Sequence, residues 1–329
     1  MSGVYYIEVS EDEDGQRLDR FLQKHLKGVP FGLLQKLMRK GQIRVDSKRV
    51  KPATRLEQGQ SVRIPPMETR EEKPKDFVSE KDAALIRSLV IYDEGDIIAI
   101  NKPSGLATQG GTNITSHVDG MLGALANEKG VKPRLVHRLD KETSGVLLLA
   151  RSADMAKKLG KIFQGRNIQK IYWALTAPAP EMNQGEIRAP LLKDTSNDFE
   201  KMIIDDAGQP ATTYFDIIER AHKQMAFVAF WPKTGRTHQI RVHAAHMGAP
   251  IIGDRKYTRD DLEISVDGVS HAKRLHLHAR KIAFRHPDTN KEVMIEASLP
   301  EELEKSWKSF GFDPQTQYDP FQDIQKKSS

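Results

Sequence analysis

The sequence predicts an α+β protein. A large, mostly antiparallel or mixed β-sheet domain with flanking helices follows a small N-terminal domain. Three observations carry that reading. From about residue 85 onward, short strand-like runs outnumber helical ones, and the helical patterns are scattered among them rather than alternating with them. Near the end, Lys281–Phe284 and Glu292–Glu296 flank the turn His286-Pro287-Asp288-Thr289-Asn290, as a hairpin requires. The first 65 residues differ in charge and pattern from everything after them. A chain of 329 residues is also too long for one small core. The expected organisation is a basic domain over 12–66, a Pro-, Lys- and Glu-rich linker over 67–84, a main domain over 85–305 and a polar tail over 306–329.

In the small domain, Leu18, Phe21, Leu22 and Leu26 recur at helical spacing within 17–27. Pro30 opens a second short helix with Leu33, Leu34, Leu37 and Met38 on its apolar side, and Gly41 suits its C-terminal end. Short strands are expected at Gln42–Val45, at Val50 after the turn Asp46-Ser47-Lys48-Arg49, and at Ser61–Ile64. Between Gly15 and Pro65 stand 13 Lys and Arg against three acids, Asp19, Asp46 and Glu57, a sum of +10. The whole chain is +6, so the remainder sums to −4. A basic module on a mildly acidic body points to a polyanion, most simply a nucleic acid.

In the main domain, Val90–Tyr92 and Ile97–Ile100 read as strands, and Asn101-Lys102-Pro103-Ser104-Gly105 turns the chain sharply. Gly145–Ala150 reads as a buried strand. Ser152 is placed to cap a helix with Met155, Leu159, Ile162 and Phe163 on one face. Ile171, Trp173 and Leu175 alternate with Lys170, Tyr172 and Ala174, which puts Tyr172 opposite the apolar trio. Gln224–Trp231 is another strand. Thr237 is expected to cap a helix over 238–247, ended by Gly248, with Ile240, Ala244 and Met247 inward and Arg241 one turn from His238.

Composition excludes several chemistries. There is no cysteine, hence no disulfide framework, thiol catalysis or thiolate metal site, and a cytoplasmic life is the simplest reading. Met1–Ser10 is no secretory signal, and no apolar run is long enough to span a bilayer. His243/His246 and His276/His278 lack acids at metal-ligand spacing and read as core, capping or RNA-contacting histidines. Gly105, Gly110 and Gly111 do not form a phosphate loop. Glycosidase chemistry needs two opposed carboxylates, and no second acid stands out beside Asp140. From the residues alone, Asp140 is either a catalytic carboxylate or a capping or ion-pairing aspartate.

Two resemblances narrow this. Gly15-Gln16-Arg17-Leu18-Asp19-Arg20-Phe21-Leu22, followed by Arg39-Lys40-Gly41-Gln42-Ile43-Arg44-Val45-Asp46, resembles the small αL RNA-binding module. That likeness implies that Arg17, Arg20, Lys36, Arg39, Lys40, Lys48 and Arg49 face RNA phosphates. The NKPSG turn at 101–105, HRLDKETSG at 137–145, QKIYWAL at 169–175 and GRTHQIRVH at 235–243 resemble the RluA-type pseudouridine synthases, bacterial ribosomal enzymes that carry such a module. Gly253-Asp254-Tyr257 and Arg274-Leu275-His276-Leu277-His278-Ala279 add to the match.

The resemblance implies that Asp140 is the catalytic aspartate and that Tyr172 stacks on the target base and moves a proton. It implies that Arg241 pairs with the aspartate, that Leu277 lines the pocket, and that Arg138 and Lys170 contact substrate RNA. Lys141 and Glu142, Gln109 and Thr258 depart from the family's usual residues, which bears on target preference. Pseudouridine formation breaks the C1′–N1 bond, turns the freed uracil and joins C1′ to C5, with no net redox change, so no cofactor and no metal is expected. A carboxylate can attack C1′ or remove the C2′ proton. The nucleotide must leave the stack first. The expected substrate is large-subunit ribosomal RNA or a pre-ribosomal particle, met by a monomer away from membranes. A tRNA target and a non-catalytic ribosome-assembly protein are the alternatives.

Overall fold

The computed structural model describes residues 3–26, 29–66, 78–111, 114–165, 168–194, 201–258, 265–266, 269–270 and 274–321. The chain forms two compact units, Met1–Phe77 and Val78–Ser329.

The small unit contains β1 (Tyr5–Glu8), α1 (Leu18–His25), α2 (Phe31–Arg39), β2 (Arg44–Val45), β3 (Lys48–Arg49) and β4 (Ser61–Ile64). Its sheet runs β1–β4–β2–β3. Leu18, Phe21 and Leu22 from α1 meet Leu34 and Met38 from α2 over Ile43, Val45, Leu56, Val62 and Ile64, all buried. The apolar periodicity of both helices is therefore this unit's core. The expected four-residue turn is shorter in the structure. Asp46 and Ser47 both take positive φ, 45° and 66°, and Val45 pairs directly with Lys48. This is the two-residue hairpin whose twist matches its strands.

The large unit begins with α3 (Glu80–Ser88), β5 (Val90–Glu94), β6 (Ile97–Lys102), α4 (Val118–Met121), β7 (Arg134–Leu135), β8 (Ser144–Ala150) and α5 (Ala153–Gln164). It continues through β9 (Ile168–Thr176), β10 (Gln184–Arg188), β11 (Leu191–Asp194), β12 (Lys201–Ile204), β13 (Thr212–Ala221), β14 (Met225–Pro232) and α6 (Gln239–His246). The last elements are β15 (Ser265–Val266), β16 (Val269–Ser270), β17 (Leu277–Arg285), β18 (Glu292–Glu296) and α7 (Glu301–Ser309). No described helix is long and apolar enough to cross a membrane.

Its main sheet runs β10–β13–β14–β9–β17–β8–β6–β5, with β18 paired to β17 and β7 to β8. The β17–β8 pair is parallel, and the other pairs in this sheet are antiparallel. The mixed sheet and the C-terminal hairpin are as expected, with Lys281 opposite Glu296 and Arg285 opposite Glu292. The parallel contact depends on Gly145. Its φ is 115°, and a Cβ there would lie 2.2 Å from the Ala279 carbonyl oxygen. Only glycine lets β8 come so close to β17.

Alternation along β9 divides the sheet's two faces. Ile171, Trp173 and Leu175 join a core with Phe227, Trp231, Leu303, Trp307, Phe312 and Phe321. Tyr172 and Ala174 face the other way, among Phe230, Ile240, Ala244 and Leu277. Trp307 and Phe227 meet edge to face, centroids 5.5 Å apart.

Two expectations fail. The tail expected to be polar from 306 is instead packed as far as 321, because it carries Trp307, Phe312 and Phe321 at 0%, 5% and 2% exposure and ties Asp319 to Lys281 at 2.6 Å. Residues 322–329 of that tail lie outside the described residues. The expected linker overlaps α3, which Ser79 caps by accepting from the Asp82 amide at 3.1 Å and which Ile86 anchors. Residues 67–77 of that linker also lie outside the described residues.

Candidate active site

Asp140 sits in the loop between β7 and β8, and that loop is fastened from beneath by the turn after β6. Thr108 Oγ1 donates to the Leu139 carbonyl at 2.7 Å and accepts the Leu139 amide at 3.2 Å. The Gly105 amide donates to the Lys141 carbonyl at 2.8 Å, and Ser104 Oγ to the Glu142 carbonyl at 2.7 Å. Lys102, fully buried, donates from Nζ to the carbonyls of Pro103, Leu106 and Lys141 at 2.9, 2.8 and 3.2 Å. Burial pushes its pKa down to about 7, against the pull of Asp140 and Glu142. The NKPSG turn is thus scaffolding for the aspartate loop. It also explains why the departures at Lys141 and Glu142 are tolerated. Both residues are exposed, and what the fold uses is their carbonyls.

Above this loop stands α6. Its N-cap is His238, one residue later than expected, in the left-handed region at φ 54°. Arg241, with 6% of its side chain exposed, points back toward the loop. Its Nε and Nη2 each donate to a separate oxygen of Asp254 at 2.7 Å, and Asp254 is fully buried. Its Nη1 is 4.0 Å from Asp140 Oδ2. Arg241 therefore stands within ion-pair distance of Asp140, the partner the resemblance implied, while its hydrogen bonds go to Asp254. Burial opposes the guanidinium charge, yet the Asp254 bonds, with Asp140 and Tyr257 further off, outweigh it and hold the pKa above its ordinary value. Asp254 reaches this position because Gly253, at φ 75°, turns where a Cβ would lie 1.7 Å from the Arg274 carbonyl oxygen.

Asp140, with 23% of its side chain exposed, opens onto two cavities. The first, about 540 Å³, is lined among others by Arg138, Lys170, Tyr172, Arg236, Arg241 and Leu277, and among the described residues Asp140 is the only carboxylate on its wall. The second, about 600 Å³, includes Arg138, Gln109, Lys141, Arg255 and Lys256. Burial, then the Asp140 charge, holds the Tyr172 pKa above its ordinary value, so the group is a neutral phenol. Leu277 pairs with Ala174 on the neighbouring strand and presents an apolar wall. Burial, then Lys233, pushes the Lys170 pKa down to about 8.

The structure therefore gathers Asp140, Tyr172, Arg241, Leu277, Lys170 and Arg138 around one space. Arg17, Arg20, Lys36, Arg39, Lys40, Lys48 and Arg49 belong to the small unit, where all are exposed. Arg17 there is taken up by Asp19 at 3.1 and 2.7 Å. His243 and His278 serve the core: His243 bonds Thr213 and the Ala189 carbonyl, and His278 bonds Ser144 and the Ala297 carbonyl. No group of three metal-ligating side chains occurs among the described residues. Sequence reasoning missed His238, Thr108 and the parts played by Asp254 and Tyr257. For Asp254 and Tyr257 the only signal was their place in the Gly253-Asp254-Tyr257 match.

A buried phenol over an apolar wall, a half-buried carboxylate and a guanidinium line one cavity on a mixed sheet, a set of groups suited to rearranging a nucleobase. Comparison with known proteins agrees. Residues 96–246 match the RNA pseudouridylate synthase family and residues 16–62 the S4 domain. The chain is 38% identical over 307 residues to the "Ribosomal large subunit pseudouridine synthase C" of Escherichia coli (strain K12), covering 92% of this chain and 95% of that protein. It is 37% identical over 304 residues to the protein of the same name from Buchnera aphidicola subsp. Schizaphis graminum, covering 91% and 95%. The solved structure "Human RNA Pseudouridylate Synthase Domain Containing 4" superposes with a TM-score of 0.61 at 28% identity, over 71% of this chain and 98% of that one. The chain belongs to the RNA pseudouridylate synthase family and is an RNA pseudouridine synthase with an N-terminal S4 domain.

Proposed function

We propose that the protein converts uridines of large-subunit ribosomal RNA to pseudouridine, with Asp140 acting at C1′ or C2′ of an everted nucleotide. The observation that carries this is the position of Asp140 as the one carboxylate, among the described residues, on the wall of the cavity that also holds Tyr172. The target is supported by the names of the bacterial relatives and by a basic S4 domain of the kind that binds RNA phosphates.

The chemistry follows from the geometry. The uracil enters the first cavity and stacks on Tyr172 against Leu277. Asp140 meets the ribose through its carboxylate. Arg241 Nη1, 4.0 Å from Oδ2, sets a positive charge beside it when the base shuts out water. The carboxylate either adds to C1′ or removes the C2′ proton, and in both routes the C1′–N1 bond breaks and N1 leaves with the electron pair. The uracil turns and C5 bonds C1′, either as the C1′–oxygen bond to Asp140 breaks and frees the carboxylate, or, in the second route, as Asp140 gives its proton back to C2′. The C5 proton then leaves to solvent and N1 takes up a proton. Tyr172 remains a phenol throughout this range and serves as the platform and as a hydroxyl donor. Arg138, exposed at the rim of both cavities, is placed to occupy the gap the nucleotide leaves.

Asp140→Asn tests the reading. Among the described residues Asp140 has no side-chain hydrogen bond, so the amide is accommodated without loss of stability. Mapping of modified uridines after incubation with large-subunit RNA should show none, while RNA affinity stays at the wild-type value. Pseudouridine formed by that variant at an appreciable rate would remove Asp140 from the mechanism.

A further inference from the structure

One polar residue of the site has no role in the chemistry above. His238 is 8% exposed, faces both cavities, and holds a left-handed backbone at φ 54° that a side chain other than glycine adopts at a cost. Such a conformation persists where the surroundings dictate it, and here Nδ1 is hydrogen-bonded while Nε2 faces Asp140.

Nδ1 is 2.8 Å from Tyr257 Oη. That oxygen accepts the Met202 amide at 2.9 Å. With one amide hydrogen already received, and no other acceptor within bonding distance among the described residues, the phenol directs its own hydrogen to Nδ1. Nδ1 is then an acceptor, and the ring proton sits on Nε2. Nε2 lies 3.9 Å from Asp140 Oδ2. The Met202 amide, the Tyr257 hydroxyl and the His238 imidazole thus form one chain of donors that ends in an Nε2–H facing the carboxylate across 3.9 Å.

We infer that His238 is a positioning residue for the isomerisation: its Nε2–H, fixed in that tautomer by Tyr257, orients the Asp140 carboxylate toward the ribose of the everted uridine. The separation is longer than a hydrogen bond, as is common before substrate closes such contacts. The charges around the ring suit a neutral donor. Burial lowers its pKa and Asp140 raises it. Arg241 and Lys256 lower it again, while Asp254 raises it. With its proton on Nε2 the imidazole offers no lone pair toward the cavity. It is therefore a donor to the aspartate and not the base that takes the C5 proton.

The inference rests on the proposed isomerase reading and is tested beside it, by single-turnover pseudouridine formation on large-subunit RNA, with RNA affinity and thermal melting measured on every protein. Glutamine sets a side-chain N–H near the place of Nε2, and alanine does not. His238→Ala should be slower by about 100-fold, the loss typical of a misplaced reacting group, with unchanged RNA affinity. His238→Gln should recover to within about 5-fold of wild type, since it restores the donor. Tyr257→Phe, which releases the tautomer, should be slower by about 10-fold, and adding it to His238→Ala should cost little more because the two act in one chain. A glutamine variant as slow as alanine at equal melting temperature overturns the inference. So does a Tyr257→Phe protein at wild-type speed, which also serves if the alanine variant does not fold. A wild-type protein that makes no pseudouridine would overturn the isomerase reading instead.

Discussion

Arg241 gives two of its nitrogens to Asp254 at 2.7 Å and leaves only Nη1 for Asp140, at 4.0 Å. The division matters for reactivity. A carboxylate locked in a two-point pair with arginine is a poor nucleophile and a poor base, because its lone pairs are occupied. Asp254 takes the fork of the guanidinium and fixes it, so that Asp140 feels a positive charge without being bonded to it.

Arg241→Met separates these roles. It strands a fully buried Asp254 carboxylate, and the expected loss is about 3–5 kcal/mol of stability. In a unit of this size that lowers the melting temperature by roughly 6–20 °C. Asp254→Asn should destabilise for the mirror reason, while Asp140→Asn should not. Calorimetry on the three variants checks the ranking. Equal melting of Arg241→Met and wild type would mean that the pair is not buried in solution.

Tyr172→Phe keeps the ring and removes the hydroxyl. RNA affinity should hold, because stacking and the Leu277 wall are unchanged, while turnover should fall by about 100-fold or more if the hydroxyl handles a proton. The pH profile has a definite sign. Burial and Asp140 raise the Tyr172 pKa, so wild-type turnover should show no loss from this group until pH exceeds the ordinary tyrosine value of about 10. An alkaline limb near pH 8 that vanishes in Tyr172→Phe would contradict the assignment.

Much of this site was legible because its residues cluster in short segments with strong local patterns. The alternation around Tyr172 put it on the correct face, and the loop before a buried strand placed Asp140 at a sheet end. Long-range partnership was not legible. Asp254 lies 13 residues from Arg241 and reaches it only because Gly253 can turn against Arg274. His238 gave no sign of its left-handed backbone, and Thr237 was the natural capping residue by type. The tail was misread for a related reason. Trp307, Phe312 and Phe321 are too widely spaced for a periodic signal, and their burial depends on a sheet face built by distant strands. Strands β10 to β13 escaped notice because their apolar residues mix with charged ones.

Lys102 gives a prediction about stability and pH. An unfolded lysine titrates near 10.4, whereas Lys102 titrates at about 7 in the folded chain. Between those values the unfolded state binds more protons, so stability rises with pH, by at most about 1.4 kcal/mol per unit from this group. Below that window the cost of burying the ammonium is fully present. Urea unfolding at pH 6.5 and pH 9 should therefore show wild type gaining on Lys102→Met as pH rises. Lys102→Met should also lose turnover at both values, because three carbonyls of the aspartate loop region lose their donor. A stability difference that does not change with pH would place the folded pKa of Lys102 near its ordinary value.

The S4 domain makes a separable prediction. Arg20, Lys36, Arg39, Lys40 and Lys48 are exposed and make no side-chain ion pair among the described residues, whereas Arg17 is bound at both ends to Asp19. Each free cation that meets a phosphate releases counterions, and each one removed should lower the slope of log affinity against log salt by about 0.7–0.9. Lys36→Gln, Arg39→Gln and Lys40→Gln together should reduce the slope by roughly 2–3. They should weaken binding at low salt and leave the single-turnover rate at saturating protein unchanged. Arg17→Gln should change the slope less than Arg39→Gln, because its charge is already half answered within the helix. Filter binding across a salt series distinguishes these outcomes. An unchanged slope in the triple variant would show that this face of the domain does not meet RNA, and would move the phosphate contacts to the large unit alone.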